Sequence, residues 1–351
     1  MRRFSIVLAV LIGTAVSGQR SSAQTLLFGL FERSLEALRI EAGIPGLAAV
    51  IVQDSARVWE RGLGKEDLEA SLPTGMDTPF VIGGLSQAIG STVLLRKCID
   101  QSWADVSDRV VKWAPLYPEP TTTIGQLLSH TAPSGGFHYD TARLSPLTGV
   151  VEECADQKYA QVLADDVFDR LAMFNSVPGQ TLATPTPADG DLFEPARLDR
   201  YAAVMRRVAV PYRLVARRPV RNTDLVPAEL DFAGGIVASA RDLARFDIAL
   251  DTGLLLEPDT RARMMTQTFS DVTPLPTGLG WFVQAYNNEP VVWQFGLVEG
   301  AYSSLIIKVP NRRVTLILLA NSDGLAAPFG LDGGDVTTSV FARTFLRTFV
   351  P

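Results

Sequence analysis

Between Phe80 and Cys98 the apolar positions repeat with the period of a helix. Leu85, Ile89 and Val93 form one row, and Ala88, Leu95 and Ile99 form a second. Almost no polar face is left, so this stretch predicts a helix inside the protein rather than on its surface. Upstream, residues 25–42 read as an amphipathic helix carried by Leu26, Leu30, Leu35, Leu38 and Ile40, stopped by Gly43 and Pro45. Leu47 to Gln53 and Val58 to Leu63 predict two strands around a polar turn at Asp54-Ser55. Helical patterns return at Leu147 to Glu153 and Tyr159 to Met173, and Ser239 is placed to cap a helix that follows it. Tyr302 to Val309 and Val314 to Asn321 predict two strands around Pro310 to Arg313. The second is nearly all apolar, as a central strand covered on both faces would be. A helix near Thr337 to Phe349 closes the chain.

Composition narrows the function classes. At 351 residues, with 47% apolar and 20% charged residues, the chain suits an ordered globular protein of one large domain or two lobes. Two histidines and two cysteines are too few for a dedicated metal site, so no metal and no cofactor is expected. A net charge of −6 argues against nucleic acid as a partner. The arginines at 206, 207, 213, 217, 218 and 221 lie in an irregular stretch and read as a solvated loop paired with acids, in preference to an anion site.

The N-terminus has its own pattern. Met1-Arg2-Arg3 is basic, Phe4 to Val16 is apolar but short for a membrane span, and Ser21-Ser22-Ala23 supplies small residues. This predicts a signal peptide over residues 1–23 and a periplasmic or secreted protein, with no stable membrane span after its removal. Loss of Arg2, Arg3 and Arg20 takes the net charge from −6 to −9. Cys98 and Cys154 both fall in predicted helices. Two buried free thiols are the preferred reading, with a disulfide between them as the alternative.

Several segments, in order, resemble the serine β-lactamase and penicillin-binding-protein family, its class C-like lactamases and esterases above all. They are the lead-in Phe80-Val81-Ile82-Gly83, the run Thr123-Ile124-Gly125-Gln126-Leu127-Leu128-Ser129-His130-Thr131-Ala132-Pro133, Phe232-Ala233-Gly234-Gly235 through Phe246, and Gly278-Leu279-Gly280-Trp281. The resemblance covers about residues 25–350. It implies an α/β fold of the α+β type, an antiparallel sheet flanked by helices plus a mainly helical lobe. Residues 24–80 and about 225–351 would form the α/β lobe and about 81–224 the helical lobe, all one domain from 24 to 351.

The same resemblance implies a catalytic set that this chain does not carry. The family uses Ser-x-x-Lys on one helix face, where a lysine in a dry, positive site activates the serine. The aligned positions here are Gly84 and Gln87. No lysine in the chain has a serine three residues before it, so no shift of register restores the motif. The second motif keeps Tyr139 but has Thr141 at its asparagine position. The third reads Gln294-Phe295-Gly296, with an amide where the family has lysine or histidine. His130 corresponds to a histidine that ties down a loop in the family. The expected result is a neutral cleft lined by Gln87, Tyr139, Thr141 and Gln294, beside Gly296, able to hydrogen-bond a small polar ligand or a cell-wall fragment.

Two functional readings follow, beside a third of a purely structural module whose old pocket is filled by side chains. The first is a secreted binding or regulatory protein that has lost acyl-serine hydrolase activity. The alternative is an active serine hydrolase with a displaced nucleophile, for which Ser86 is the candidate. Two residues along a helix turn through roughly 200°, which points Ser86 away from the cleft.

Overall fold

The computed structural model describes residues 22–131, 135–270 and 273–351. Most of the predicted signal peptide therefore lies outside the described residues, as do Ala132 and Pro133. The described chain opens with helix α1, Ser22–Ala42. Among the described residues no helix is long and apolar enough to cross a membrane.

A seven-stranded antiparallel sheet is the spine of the molecule. Its order is Phe282–Tyr286, Glu289–Val298, Tyr302–Val309, Val314–Ala320, then β1 (Gly46–Gln53), β2 (Ala56–Asp67) and Leu72–Pro73. Both predicted hairpins form. Val314–Ala320 lies at the centre, pairing Ala320 with Leu47 on one side and with Ser303 on the other. Successive side chains of β1 go to opposite faces. Ala48, Val50 and Val52 enter one core with the buried helix, whereas Leu47, Ala49 and Ile51 enter a second under α1 and the helix Val340–Phe349. Central strands buried on both faces explain why their sequences read as continuous apolar runs.

The buried segment is shorter as a regular helix than its pattern suggests. Pro79–Val81 is a strand of a small three-stranded sheet with Ile236–Ser239 and Val177–Pro178. Gly83–Leu85 makes a tight 3-10 turn, α2 runs over Ser86–Leu94, and Leu95–Ile99 widens into a π turn. Every residue of α2 is buried. Ser239 caps the helix Ala240–Asp251 by accepting from the Asp242 backbone N–H, as expected.

Cys98 and Cys154 are not the free thiols that the sequence reading prefers. Cys98 and Cys154 form a disulfide, with Cα atoms 5.4 Å apart. Cys98 ends the segment that follows α2, and Cys154 lies in the neighbouring helix Pro146–Ala155. Their packing, which no spacing in the sequence discloses, brings the thiols into bonding range.

The arginine stretch matches its bland reading. Arg213 pairs with Asp224, Arg217 with Glu41 and Arg221 with Glu69, all at partly or fully exposed positions.

Candidate functional site

Two glycines let the strand Glu289–Val298 press against the start of the buried helix. A Cβ on Gly296 would sit 1.8 Å from the Ile82 carbonyl oxygen, so no larger residue fits. Ser304 on the next strand donates to that same oxygen at 2.8 Å. Gly83 holds φ at +55°, which turns the chain into α2 and brings Gly84 to the surface of a cavity.

Tyr139 reaches this place from a loop. The helix Ile124–Leu128 is started by a capping box between Thr123 and Gln126 and delivers His130, which adopts φ +51°. The Tyr139 ring is packed among His130, Phe295 and Phe282, with centroids 4.6, 5.3 and 5.4 Å away. Its hydroxyl accepts a hydrogen bond from Gln87 Nε2 at 3.0 Å. Gln87 Oε1 lies 2.8 Å from His130 Nε2. On the other side of the imidazole, the Asp140 backbone N–H donates to Nδ1 at 3.5 Å.

That backbone N–H fixes the direction of the whole chain of bonds. It leaves Nδ1 as an acceptor, so the ring proton is on Nε2 and goes to Gln87 Oε1. Gln87 in turn donates to Tyr139. The phenol proton is then free to point elsewhere. Burial, with Arg143 adding to it, lowers the His130 pKa to about 4, and burial raises that of Tyr139. Both groups are neutral near pH 7, and the network carries no formal charge.

A cavity of about 570 Å³ opens beside this network, and Gly84, Tyr139 and Thr141 line it. A Cβ placed on Gly84 would be 3.2 Å from Tyr139 Oη and 3.8 Å from Gln87 Nε2. Position 84 is therefore where a side chain would meet both groups at once. No serine, cysteine or lysine lines the cavity among the described residues.

The expected lining is only partly present. Gln87 and Gln294 are buried, and their amides are used internally instead of facing the cavity. Gln294 Nε2 donates to the Gly280 carbonyl at 3.1 Å, and its Oε1 accepts from the Phe295 N–H at 2.8 Å. It holds the Gly278–Trp281 turn against α2, where Gly280 packs on Ser91. Gly296 lies behind the cavity wall in contact with Ile82. Ser86 is fully buried, does not line the cavity, and its Oγ has no hydrogen-bond partner. Sequence reasoning missed Gln180, Glu299 and Asp332, which do line the cavity. Glu299 stood three residues past Gly296 and could have been noticed. Gln180 and Asp332 carry no local signal.

The β-lactamase family model matches residues 31–335. The chain belongs to the β-lactamase family. Penicillin-binding protein 4 of Amycolatopsis lactamdurans is 24% identical over 343 residues, covering 86% of this chain and 87% of that one. Among solved structures, D-amino acid amidase from Ochrobactrum anthropi SV3 superposes with a TM-score of 0.72 at 17% identity, over 92% of this chain and 99% of that one. D-alanine carboxypeptidase AmpC from Burkholderia cenocepacia gives 0.68 at 19% identity, over 92% and 100%. These structural likenesses establish the shared fold. The β-lactamase fold thus frames a site in which Gly84 faces Tyr139 and Gln87.

Proposed function

We propose that this β-lactamase-family chain is a non-acylating binding or regulatory protein of the cell envelope. It is exported by the N-terminal signal segment and takes a small polar ligand or cell-wall fragment into the cavity beside Gly84. The observation that carries the reading is the position of Gly84. Its missing side chain would meet Tyr139 Oη and Gln87 Nε2, so the one place served by both polar groups holds no nucleophilic atom. Acyl transfer needs a nucleophile and a group able to take its proton. Gln87 has no basic nitrogen, and the neutral His130 uses its ring proton on Gln87.

What the network offers in place of a base is a donor. Because Tyr139 accepts from Gln87, its own O–H is available to an acceptor in the cavity, such as a carbonyl oxygen of a peptide fragment. The kinship to penicillin-binding protein 4 and the fold shared with a D-alanine carboxypeptidase support a cell-wall fragment as the ligand source.

The second reading, an active hydrolase using Ser86, has one observation in its favour. Ser86 Oγ is without a hydrogen-bond partner. Its complete burial away from the cavity weighs against it. Intact-protein mass spectrometry after treatment with a fluorophosphonate, and separately with a penicillin, separates the two. No adduct is expected while an active family member labels in parallel. A stable adduct mapped to Ser86 or to any other serine overturns the binding reading.

A further inference from the structure

The charge of the cavity says more about its ligand. Glu299 and Asp332 line it, both are exposed, and neither is engaged in an ion pair or hydrogen bond among the described residues. No lysine, arginine or histidine lines the cavity with them. Arg213 packs beside Gly300, next to Glu299, but its guanidinium is directed to Asp224 at 2.9 Å and Asn222 at 3.2 Å. The rim is therefore net negative, and a carboxylate ligand would enter against two uncompensated like charges.

A second observation is independent of charge. Gln180 also lines the cavity, is only 7% exposed, and its side-chain amide has no hydrogen-bond partner among the described residues. Buried amides are ordinarily paired. Because Gln180 is part of the cavity lining, a group bound in the cavity can complete it.

We propose that the cavity takes a small ammonium-bearing molecule, with Glu299 and Asp332 holding the cationic end and Gln180 the buried polar contact. This rests on the binding reading above and adds the charge class of the ligand.

The test uses the full mature chain with Thr141→Cys, and in a second variant Ala327→Cys, both positions on the cavity. The two native cysteines are joined to each other, so the introduced thiol is the free one. Its reaction rates with a trimethylammonium and a sulfonate methanethiosulfonate of equal length are compared, each divided by the rate with a small free thiol. The normalised ratio of cationic to anionic reagent is expected to be about tenfold above unity. It should fall toward unity in Glu299→Gln/Asp332→Asn and at high salt. A ratio at or below unity, or one unmoved by neutralising both carboxylates, overturns the proposal. Because neither reagent needs Gly84 or Tyr139, failure here is distinct from failure of the non-acylating reading, which shows as a fluorophosphonate or penicillin adduct.

Discussion

His130 Nε2 lies 2.8 Å from Gln87 Oε1, and this bond sets the polarity of the site. The family motif has a lysine at the position of Gln87. Here an amide receives a proton from the imidazole on one side and donates to Tyr139 on the other.

That arrangement predicts a pH dependence. Burial, assisted by Arg143, lowers the folded His130 pKa from 6.5 to about 4. A depressed histidine binds fewer protons in the folded state than in the unfolded state. Its contribution is therefore complete above pH 6.5 and is lost as pH falls through about 4, amounting to about 3 kcal/mol in total. His130→Asn removes the titration and suits the positive φ at this position. The difference in unfolding free energy between wild type and variant should shift by that amount between pH 7 and pH 4. A difference that stays constant across the window would show that His130 is not held neutral. Asp247, raised to about 6 by burial, contributes with the opposite sign in part of this window, which is why the difference between the two proteins is the measured quantity.

Tyr139→Phe should cost about 1–3 kcal/mol of stability, because the buried Gln87 Nε2 loses its acceptor. The aromatic packing around the ring would survive. Gln87→Met by itself leaves the His130 Nε2–H without its acceptor, but in that background, where the bond to Tyr139 is already gone, Tyr139→Phe should cost less than it does in the wild type. Urea denaturation of the four proteins of this cycle measures the coupling.

The disulfide closes a sequence separation of 56 residues. For a loop of that length, constraint of the unfolded chain stabilises by roughly 4 kcal/mol. Cys98→Ala/Cys154→Ala should lower the unfolding free energy by about this much, and reducing agent should lower the wild-type melting temperature while leaving the variant unchanged. An unchanged wild-type melting curve under full reduction, confirmed by thiol counting, contradicts the prediction.

Gly84→Ser, Gln87→Lys and Gln294→His together would return the three missing side chains. A serine Cβ at 84 has Tyr139 Oη at 3.2 Å, a contact that needs the phenol to yield slightly. The triple variant is expected to gain one penicillin-derived adduct per chain, seen by intact mass, and the wild type to gain none. A folded triple variant that stays unlabelled would mean that the cavity does not admit penicillin.

The sequence by itself determined most of the elements, and its ordered family-like segments carried the fold. The run Leu47–Gln53 reads as a strand, Val314–Asn321 as a central strand covered on both faces, and Leu85–Leu95, apolar on nearly all sides, as an interior helix, because burial of such surfaces dominates folding. It also determined that position 84 lacks a nucleophile and position 87 a base, since side-chain chemistry is written in residue identity. Tertiary structure alone decided the rest. Whether Cys98 and Cys154 join is a matter of distance between two helices. Whether Gln294 faces the cavity or a neighbouring turn depends on a backbone carbonyl 14 residues away in sequence, at Gly280. Gln180, Glu299 and Asp332 come from three remote segments, and nothing in a linear pattern records that they share one cavity. Local periodicity encodes which face of an element is buried, whereas the meeting of polar side chains across elements is fixed only by how those elements pack.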